Sequence, residues 1–100
     1  MAIGKLISQH GKADLYEINE AFSAVAIANM KNLEISPDEC NVFGGAVALG
    51  HPLGCSGARI ICTLLNALIQ RGKRTGIAGI CHGGGGATAI RVEICQKSML

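Results

Sequence analysis

The spacing of hydrophobic residues predicts three helices along the chain. Apolar side chains recur at every third or fourth position over residues 2–9, 21–33 and 56 to about 71, which is the repeat of a helix with one buried face. In the last segment, Ser56 is the expected N-cap and Gly72 is the expected stop. Its aliphatic residues fall on one stripe: Ile60, Ile61, Leu64, Leu65, Leu68 and Ile69. In the middle segment, the side chains expected to pack on a sheet are Ala21, Phe22, Val25 and Ala28.

Shorter apolar runs between turn residues predict the strands. They cover residues 14–18, 75–81 and 87–94, with a brief extended run at 41–43. The last two runs flank four consecutive glycines, so we expect them to form a β-hairpin. The order helix, strand, helix, strand, helix, strand, strand is typical of an α/β layered sandwich with a mixed sheet. At 100 residues, the chain is expected to form a single domain over residues 1–100.

Charge and composition exclude several classes of function. The net charge is +2, the basic residues are scattered, and the aromatic residues are one tyrosine and two phenylalanines. Nucleic-acid binding needs a basic patch or stacking aromatics, and a membrane span needs a longer apolar run, so we expect neither partner. Five cysteines without a CxxC pair predict reduced thiols and a cytoplasmic protein. The terminal Ser98-Met99-Leu100 partly matches a peroxisomal tripeptide, which leaves peroxisome and mitochondrion open.

Two residues near glycines, a histidine and a cysteine, are the candidates for acid–base or nucleophilic catalysis. His51 lies between Gly50 and Pro52, and a proline disfavours helical backbone at the residue before it. A histidine held in this way can transfer protons near neutral pH; a turn histidine bonded to a carbonyl is the alternative. Cys81 ends an apolar strand before the glycine run, where function concentrates in open α/β sheets. The alternative for Cys81 is a buried, small apolar side chain.

Two further positions are suited to stabilising negative charge. Gly83 lies two residues after Cys81 and can present its amide N–H to an oxyanion. A phosphate cradle is the weaker interpretation of the glycine run, because no helix follows it. Asn19 lies at a strand-to-helix junction, where it serves either as an N-cap or as the holder of a water molecule.

A metal site is disfavoured by the spacing of its candidate ligands. No second CxxC or HxxxH element completes a tetrahedral set. We therefore expect no metal at the candidate ligands, which are His10, His51, Cys55, Cys81 and His82.

Three stretches resemble the C-terminal domain of the thiolase family, and together they cover nearly the whole chain. They are Asn19-Glu20-Ala21-Phe22, the segment from Gly44-Gly45-Ala46 through Leu49-Gly50-His51-Pro52 to Ser56-Gly57-Ala58-Arg59, and Cys81 with Gly83-Gly84. The Cys-His-Gly-Gly-Gly-Gly sequence is most similar to the acetyl-CoA acetyltransferase, or acetoacetyl-CoA thiolase, branch. The resemblance implies a thiolase-like layered sandwich that ends in a β-hairpin.

The resemblance also implies a role for each candidate residue. The residue matching His51 activates a nucleophilic cysteine and lines an oxyanion hole, whose water is held by the residue matching Asn19. The residue matching Cys81 exchanges a proton with Cα of the second acetyl-CoA and protonates the leaving thiol. Gly83 matches the donor of a second oxyanion hole. The implied reaction is the Claisen condensation of two acetyl-CoA to acetoacetyl-CoA, or its reverse, with a coenzyme A thioester as substrate and no covalently bound cofactor.

The family's acyl-accepting cysteine belongs to an N-terminal domain. None of the other cysteines lies in a matching motif: Cys40, Cys55, Cys62 and Cys95. We therefore expect the chain to be inactive alone, and to need a thiolase N-terminal domain in cis or in trans within a homo-oligomer. The alternative is a non-catalytic thiolase-fold binding or assembly module. Phe43 stands where many thiolases have asparagine.

Overall fold

Four α-helices and three β-strands make up the part of the chain that the structure describes, residues 2–95. In this computed structural model the helices are α1 (Ala2–His10), α2 (Ser23–Leu33), α3 (Ala46–Leu49) and α4 (Ser56–Arg71). The strands are β1 (Leu15–Ile18), β2 (Thr75–Cys81) and β3 (Ala87–Glu93). The predicted α/β class is confirmed. The tripeptide Ser98-Met99-Leu100 lies outside the described residues.

The sheet is mixed, as the sequence predicts. β1 runs parallel to β2, with Leu15 opposite Gly76. β2 runs antiparallel to β3, with Cys81 opposite Ala87, which is the predicted hairpin. Because β1 and β2 are parallel, their carboxyl ends lie at the same edge of the sheet. Asn19, just after β1, and Cys81, at the end of β2, are therefore brought to one edge.

The core lies on both faces of the sheet. One face packs against α4, whose Ile60, Leu64 and Leu68 are buried beside Leu15 of β1. The opposite face packs against α1 and the segment after α2, with a buried set made of Ile3, Ala13, Tyr16, Ile18, Ile35, Cys40 and Ile77. Successive strand residues enter opposite layers, as the two-residue period of a strand requires. The predicted stripe on α4 is thus its buried face, except that Ile69 is exposed.

The segment before His51 departs from the predicted extended run. Of residues 41–43 only Val42 forms an isolated bridge, to Gly44, and a short 3-10 turn precedes the segment at Pro37–Glu39. Extended backbone is interrupted because Asn41 and Gly44 have φ angles of 50° and 87°, in the left-handed region. The chain then forms α3, a single turn that the hydrophobic pattern does not predict.

The starts of α2 and α4 also differ from the prediction. α2 begins at Ser23, with Phe22 extended as its N-cap and 75% exposed, so Asn19 is not the cap and Phe22 does not pack on the sheet. On this helix Ala26 is the buried residue, whereas Ala28 is exposed. The N-cap of α4 is Cys55 rather than Ser56. α4 ends as predicted at Gly72, whose φ of 62° suits a glycine.

Candidate functional site

Most of the predicted site residues line one open cleft at the carboxyl edge of the sheet. The cleft has a volume of about 850 Å³ and is lined by His51, Cys81 and Gly83, together with the apolar side chains of Phe22 and Leu53. Asn19 is not part of this lining. It borders a neighbouring cleft of about 170 Å³ that also touches Cys81, so the thiol lies where the two clefts meet.

His51 is held through one ring nitrogen by two polar side chains. Its Nδ1 lies 2.6 Å from Ser56 Oγ and 3.4 Å from Asn19 Nδ2. Ser56 is buried, and its hydroxyl also donates to the carbonyl of Pro52 at 3.3 Å. The histidine is therefore tied to the first turn of α4 and to the end of β1 at the same time.

The Ser56 hydroxyl matches either neutral tautomer of His51, because a hydroxyl both donates and accepts. When Ser56 donates to Nδ1, the ring proton lies on Nε2, where it can be donated to a developing oxyanion. When Nδ1 carries the proton and donates to Ser56, Nε2 has a free lone pair and can accept a proton, while the Ser56 proton goes to Pro52. The Ser56 contact is available to both tautomers, whereas the Asn19 NH₂ group, a donor, can bond to Nδ1 only in the first.

Asn19 is buried, with 1% of its surface exposed. Its backbone N–H donates to the Gly79 carbonyl at 2.9 Å, which extends the pairing of β1 with β2 by one residue. Its side-chain Oδ1 has no hydrogen-bond partner among residues 2–95. A buried amide oxygen in this position is a natural partner for a water molecule.

Cys81 and Gly83 lie at the hairpin end of the cleft. The Cys81 thiol is exposed, so the interpretation of this residue as a buried apolar side chain is wrong. The turn after it is closed by the Gly85 N–H donating to the His82 carbonyl and the His82 N–H donating to Gly86, at 3.2 and 3.1 Å. The amide of Gly83 is not one of these two donors, and a Cβ at Gly83 would meet no atom within 4 Å. The backbone at Gly83 is therefore open to a ligand.

Glu17, two residues before Asn19, is a buried acid for which the sequence pattern predicted no role. It is 1% exposed, and its Oε1 lies 3.6 Å from Arg59 Nη1. In the described part of the chain, neither carboxylate oxygen has a hydrogen-bond partner. Burial raises the pKa of Glu17 to about 7, while the charge of Arg59 lowers it and that of Glu20 raises it. The signal in the sequence was a single acid within the apolar strand Leu15–Ile18.

Ser56 and Glu20 are also positions to which the sequence reading gave no chemical role. Ser56 was expected to cap α4, although it binds His51 instead. Glu20 accepts from the backbone of Val47 and from the side chain of Asn41. Both residues lie in stretches that carry the family resemblance, but their partners are distant along the chain.

Metal ligands do not converge in the described part of the chain. Within residues 2–95 no group of three His, Cys, Asp or Glu side chains could hold a metal ion. The five cysteines, all of which lie in this range, are free thiols. None of the helices described is long and apolar enough to cross a bilayer.

The fold and the arrangement of this cleft define the C-terminal domain of a thiolase. Residues 1–94 match the family described as thiolase, C-terminal domain, and the chain belongs to this family.

Its relatives include acetyl-CoA acetyltransferases of fungi and plants. It is 56% identical over 100 residues to the cytosolic acetyl-CoA acetyltransferase of Gibberella zeae, covering 96% of this chain and 25% of that protein. It is 55% identical over 98 residues to acetyl-CoA acetyltransferase 2 of Arabidopsis thaliana, covering 94% of this chain and 24% of that protein. The chain thus spans about a quarter of the length of these relatives.

The chain is also similar to a thiolase of known structure. The Acat5 thiolase of Ascaris suum, in complex with coenzyme A, superimposes with a TM-score of 0.83 at 50% identity, over 91% of this chain and 24% of that one.

Proposed function

We propose that this chain is the C-terminal catalytic part of an acetyl-CoA acetyltransferase, which condenses two acetyl-CoA to acetoacetyl-CoA or catalyses the reverse reaction. The observation that carries the proposal is the convergence of the Asn19–His51–Ser56 contacts with the Cys81 thiol at one edge of the sheet. The similarity to acetyl-CoA acetyltransferases and to a thiolase in complex with coenzyme A supports the substrate class.

In the first half-reaction, a cysteine of a thiolase N-terminal domain attacks the thioester carbonyl. His51 accepts the cysteine proton at a ring nitrogen, and the same ring, with a water held by Asn19, then stabilises the oxyanion. The new C–S bond forms as the carbonyl becomes this oxyanion. When the carbonyl re-forms, the C–S bond to coenzyme A breaks and Cys81 gives its proton to the leaving thiolate. The products are an acetylated cysteine and free coenzyme A.

In the second half-reaction, the Cys81 thiolate removes a proton from Cα of another acetyl-CoA. The Gly83 amide serves as the donor of a second oxyanion hole, for one of the two charged oxygens that the condensation forms. The carbanion forms a C–C bond with the acetyl carbonyl carbon, the bond to the cysteine sulfur breaks, and the cysteine regains a proton from His51. Each proton that is removed is thus returned, and no covalently bound cofactor is required.

The assembly and compartment follow from the same proposal. The acyl-accepting cysteine comes from a thiolase N-terminal domain in cis or in trans, within a homo-oligomer. The cytosolic relative in Gibberella zeae supports a cytoplasmic location. Neither a nucleic acid nor a membrane takes part.

A grafted enzyme tests the proposal. This chain replaces the matching quarter of the Gibberella zeae relative, and acetoacetyl-CoA thiolysis is measured. We expect activity in the graft and a fall of about 10²–10⁴-fold for His51→Ala or Cys81→Ala, as for other acid–base groups, with Cys62→Ala as the matched control. A graft with the thermal stability of its parent and no thiolysis would overturn the proposal. If the graft does not fold, the chain is co-expressed with the remaining three quarters as a separate polypeptide and judged by the same criteria.

The requirement for a second domain has its own test. The chain alone is expected to show no thiolysis. Turnover by the chain alone that Cys81→Ala abolishes would contradict the need for a cysteine from another domain.

Exposed apolar side chains favour a second candidate, a non-catalytic assembly module. Four large apolar side chains are each more than 60% exposed: Phe22, Val47, Leu49 and Leu53. Phe22 and Leu53 line the cleft, and exposed apolar groups of this kind are typical of an interaction site. Size-exclusion chromatography of the chain separates the candidates: stable self-association together with an inactive graft favours the module, whereas a monomer that forms an active graft favours the enzyme.

A further inference from the structure

Glu20 lies immediately after Asn19 and bonds to the segment that leads to His51. Its Oε1 accepts the backbone N–H of Val47 at 3.1 Å, and its Oε2 accepts from Asn41 Nδ2 at 3.2 Å. Val47 is the second residue of α3, and α3 leads directly to Gly50 and His51. The carboxylate therefore spans from the end of β1 to the loop that carries the histidine.

Asn41 fixes the other oxygen of this carboxylate. The side-chain amide of Asn41 pairs with the backbone of Ile18, accepting at 2.8 Å through Oδ1 and donating at 2.9 Å through Nδ2. Its backbone N–H donates to the Tyr16 carbonyl at 2.9 Å. Asn41 is thus bonded along β1 like a short neighbouring strand, and Glu20 is anchored at both of its oxygens.

The loop from Gly44 to Gly50 is shaped around the same carboxylate. A Cβ at Gly45 would collide with the carboxylate at the end of the Glu20 side chain, so a larger residue at this position would displace that carboxylate. The single turn of α3 is closed by the Leu49 N–H donating to Gly45 at 3.0 Å and the Gly50 N–H donating to Ala46 at 2.7 Å. A shift of Val47 would therefore move the start of the segment that places His51.

We propose that Glu20 is a positioning residue, which fastens the His51 loop to the strand end that carries Asn19. The spacing of His51 and Asn19 is 3.4 Å, and two loops that are far apart in sequence must both be placed to give it. Glu20 joins these loops within one residue of Asn19 and four residues of His51. The catalytic part of this inference rests on the proposed thiolase function, whereas the structural part does not.

The first arm of the test observes His51 without any reaction. The full 100-residue chain is labelled with ¹⁵N-histidine, and the ring nitrogen resonances of His51 are recorded by NMR. We expect Glu20→Ala to move or broaden them, and Glu20→Gln to have a smaller effect, because glutamine keeps an acceptor for Val47 but turns an NH₂ toward Asn41. The matched control is Glu93→Gln, an exposed carboxylate at the opposite end of the sheet, which is expected to leave the resonances in place.

The second arm measures kinetics in the grafted enzyme. A shift of about 1 Å in a catalytic group lowers the rate by about 10²-fold, so we expect kcat to fall about 10–100-fold in Glu20→Ala, with KM nearly unchanged and Glu20→Gln intermediate. Rates are divided by the concentration of folded enzyme, so that lower stability alone does not appear as lower kcat. If Glu20→Ala does not fold, Glu20→Gln is judged by the same two readouts.

The two arms separate failure of this inference from failure of the proposed function. Unchanged His51 resonances in both Glu20 variants, or an active graft whose kcat stays within twofold in both, would overturn the positioning role. An inactive wild-type graft would count against the thiolase function, and the NMR arm alone would then decide the role of Glu20.

Discussion

Replacing Glu17 by glutamine is expected to remove much of the pH dependence of folding between pH 4 and pH 8. The carboxyl group is buried on β1, and Arg59 Nη1 is 3.6 Å from its Oε1. Burial is the largest cause that raises the pKa of Glu17 from its usual value of 4.5 to about 7. Glu20 raises it further, and Arg59 lowers it. Cys40, whose pKa burial raises to about 12, remains neutral throughout this range.

The direction in which the free energy of unfolding changes with pH depends on whether the folded or the unfolded chain holds the Glu17 proton. Between pH 4.5 and about 7, the folded chain keeps the Glu17 proton that the unfolded chain has lost. The contribution of Glu17 to stability is therefore fully present below pH 4.5, the usual pKa, and is lost as the pH rises through the folded-state pKa of about 7. At about 1.4 kcal/mol for each pH unit, this interval amounts to about 3 kcal/mol. Glutamine does not titrate and keeps a similar volume.

Urea denaturation followed by far-UV circular dichroism, from pH 4 to pH 8, measures the effect. The free energy of unfolding of Glu17→Gln, relative to the wild-type chain, is expected to rise by about 3 kcal/mol across this range. The other titrating groups are present in both chains, so the contributions of those that are not coupled to Glu17 cancel in the difference. Glu93→Gln, which alters an exposed acid, is the matched control. A constant difference between Glu17→Gln and the wild type would refute the reasoning, because the carboxyl group would then titrate alike in both states.

Three further predictions concern stability and reactivity. Asp14 accepts two backbone N–H groups at 3.1 and 3.0 Å, which, with burial opposing, lower its pKa. Asp14→Asn should cost about 1 kcal/mol or less at pH 7, because the group is exposed, and the cost should shrink as the pH falls through the usual value of 3.8; equal costs at pH 7 and pH 3 would contradict this. A Cβ at Gly76 would lie 2.7 Å from Leu64, so Gly76→Ala should lower the unfolding free energy by about 1–3 kcal/mol. Gly57→Ala, where a Cβ meets nothing within 4 Å, is the matched control and should not destabilise. Burial raises the pKa of the Cys40 thiol to about 12, so iodoacetamide should alkylate it more slowly than the four exposed cysteines, as read by mass spectrometry; alkylation at the same rate would show that the core opens readily.

The regular elements could be predicted because their signals are local. The aliphatic stripe of α4 needs only the helical repeat, and Gly72 marks its end. The strands β2 and β3 flank the glycine run, so the hairpin follows from turn chemistry. The parallel pairing of β1 and β2, which places Asn19 and Cys81 at a shared edge, is not a local signal.

The remaining features could not be predicted because they depend on contacts between distant segments. α3 is a single turn enclosed between glycines, and Glu20 rather than its own sequence pattern holds it. The large apolar side chain of Phe22 suggests a core residue, yet it is exposed at the cleft. Phe43, which replaces the asparagine of many thiolases, lies 5.8 Å from the Arg71 guanidinium, a cation–π contact that no local pattern indicates.

The position of Glu17 explains why a buried acid is tolerated so close to the site. Alternation along a strand places Glu17 and Asn19 on the same side, toward α4, and residues three apart share a face of a helix. Ser56 and Arg59 are three apart on α4, so the end of β1 meets this helix through two polar pairs. In the first, Asn19 and Ser56 both contact His51, and in the second, Glu17 contacts Arg59. The first pair orients the imidazole ring, whereas the second leaves the Glu17 carboxyl group with a single ion pair, which does not fully offset the desolvation of its charged form. Because Ser56 and Arg59 lie on one face of the same helix, the placement of α4 on the sheet sets both pairs at once, which couples the orientation of His51 to the packing of the core.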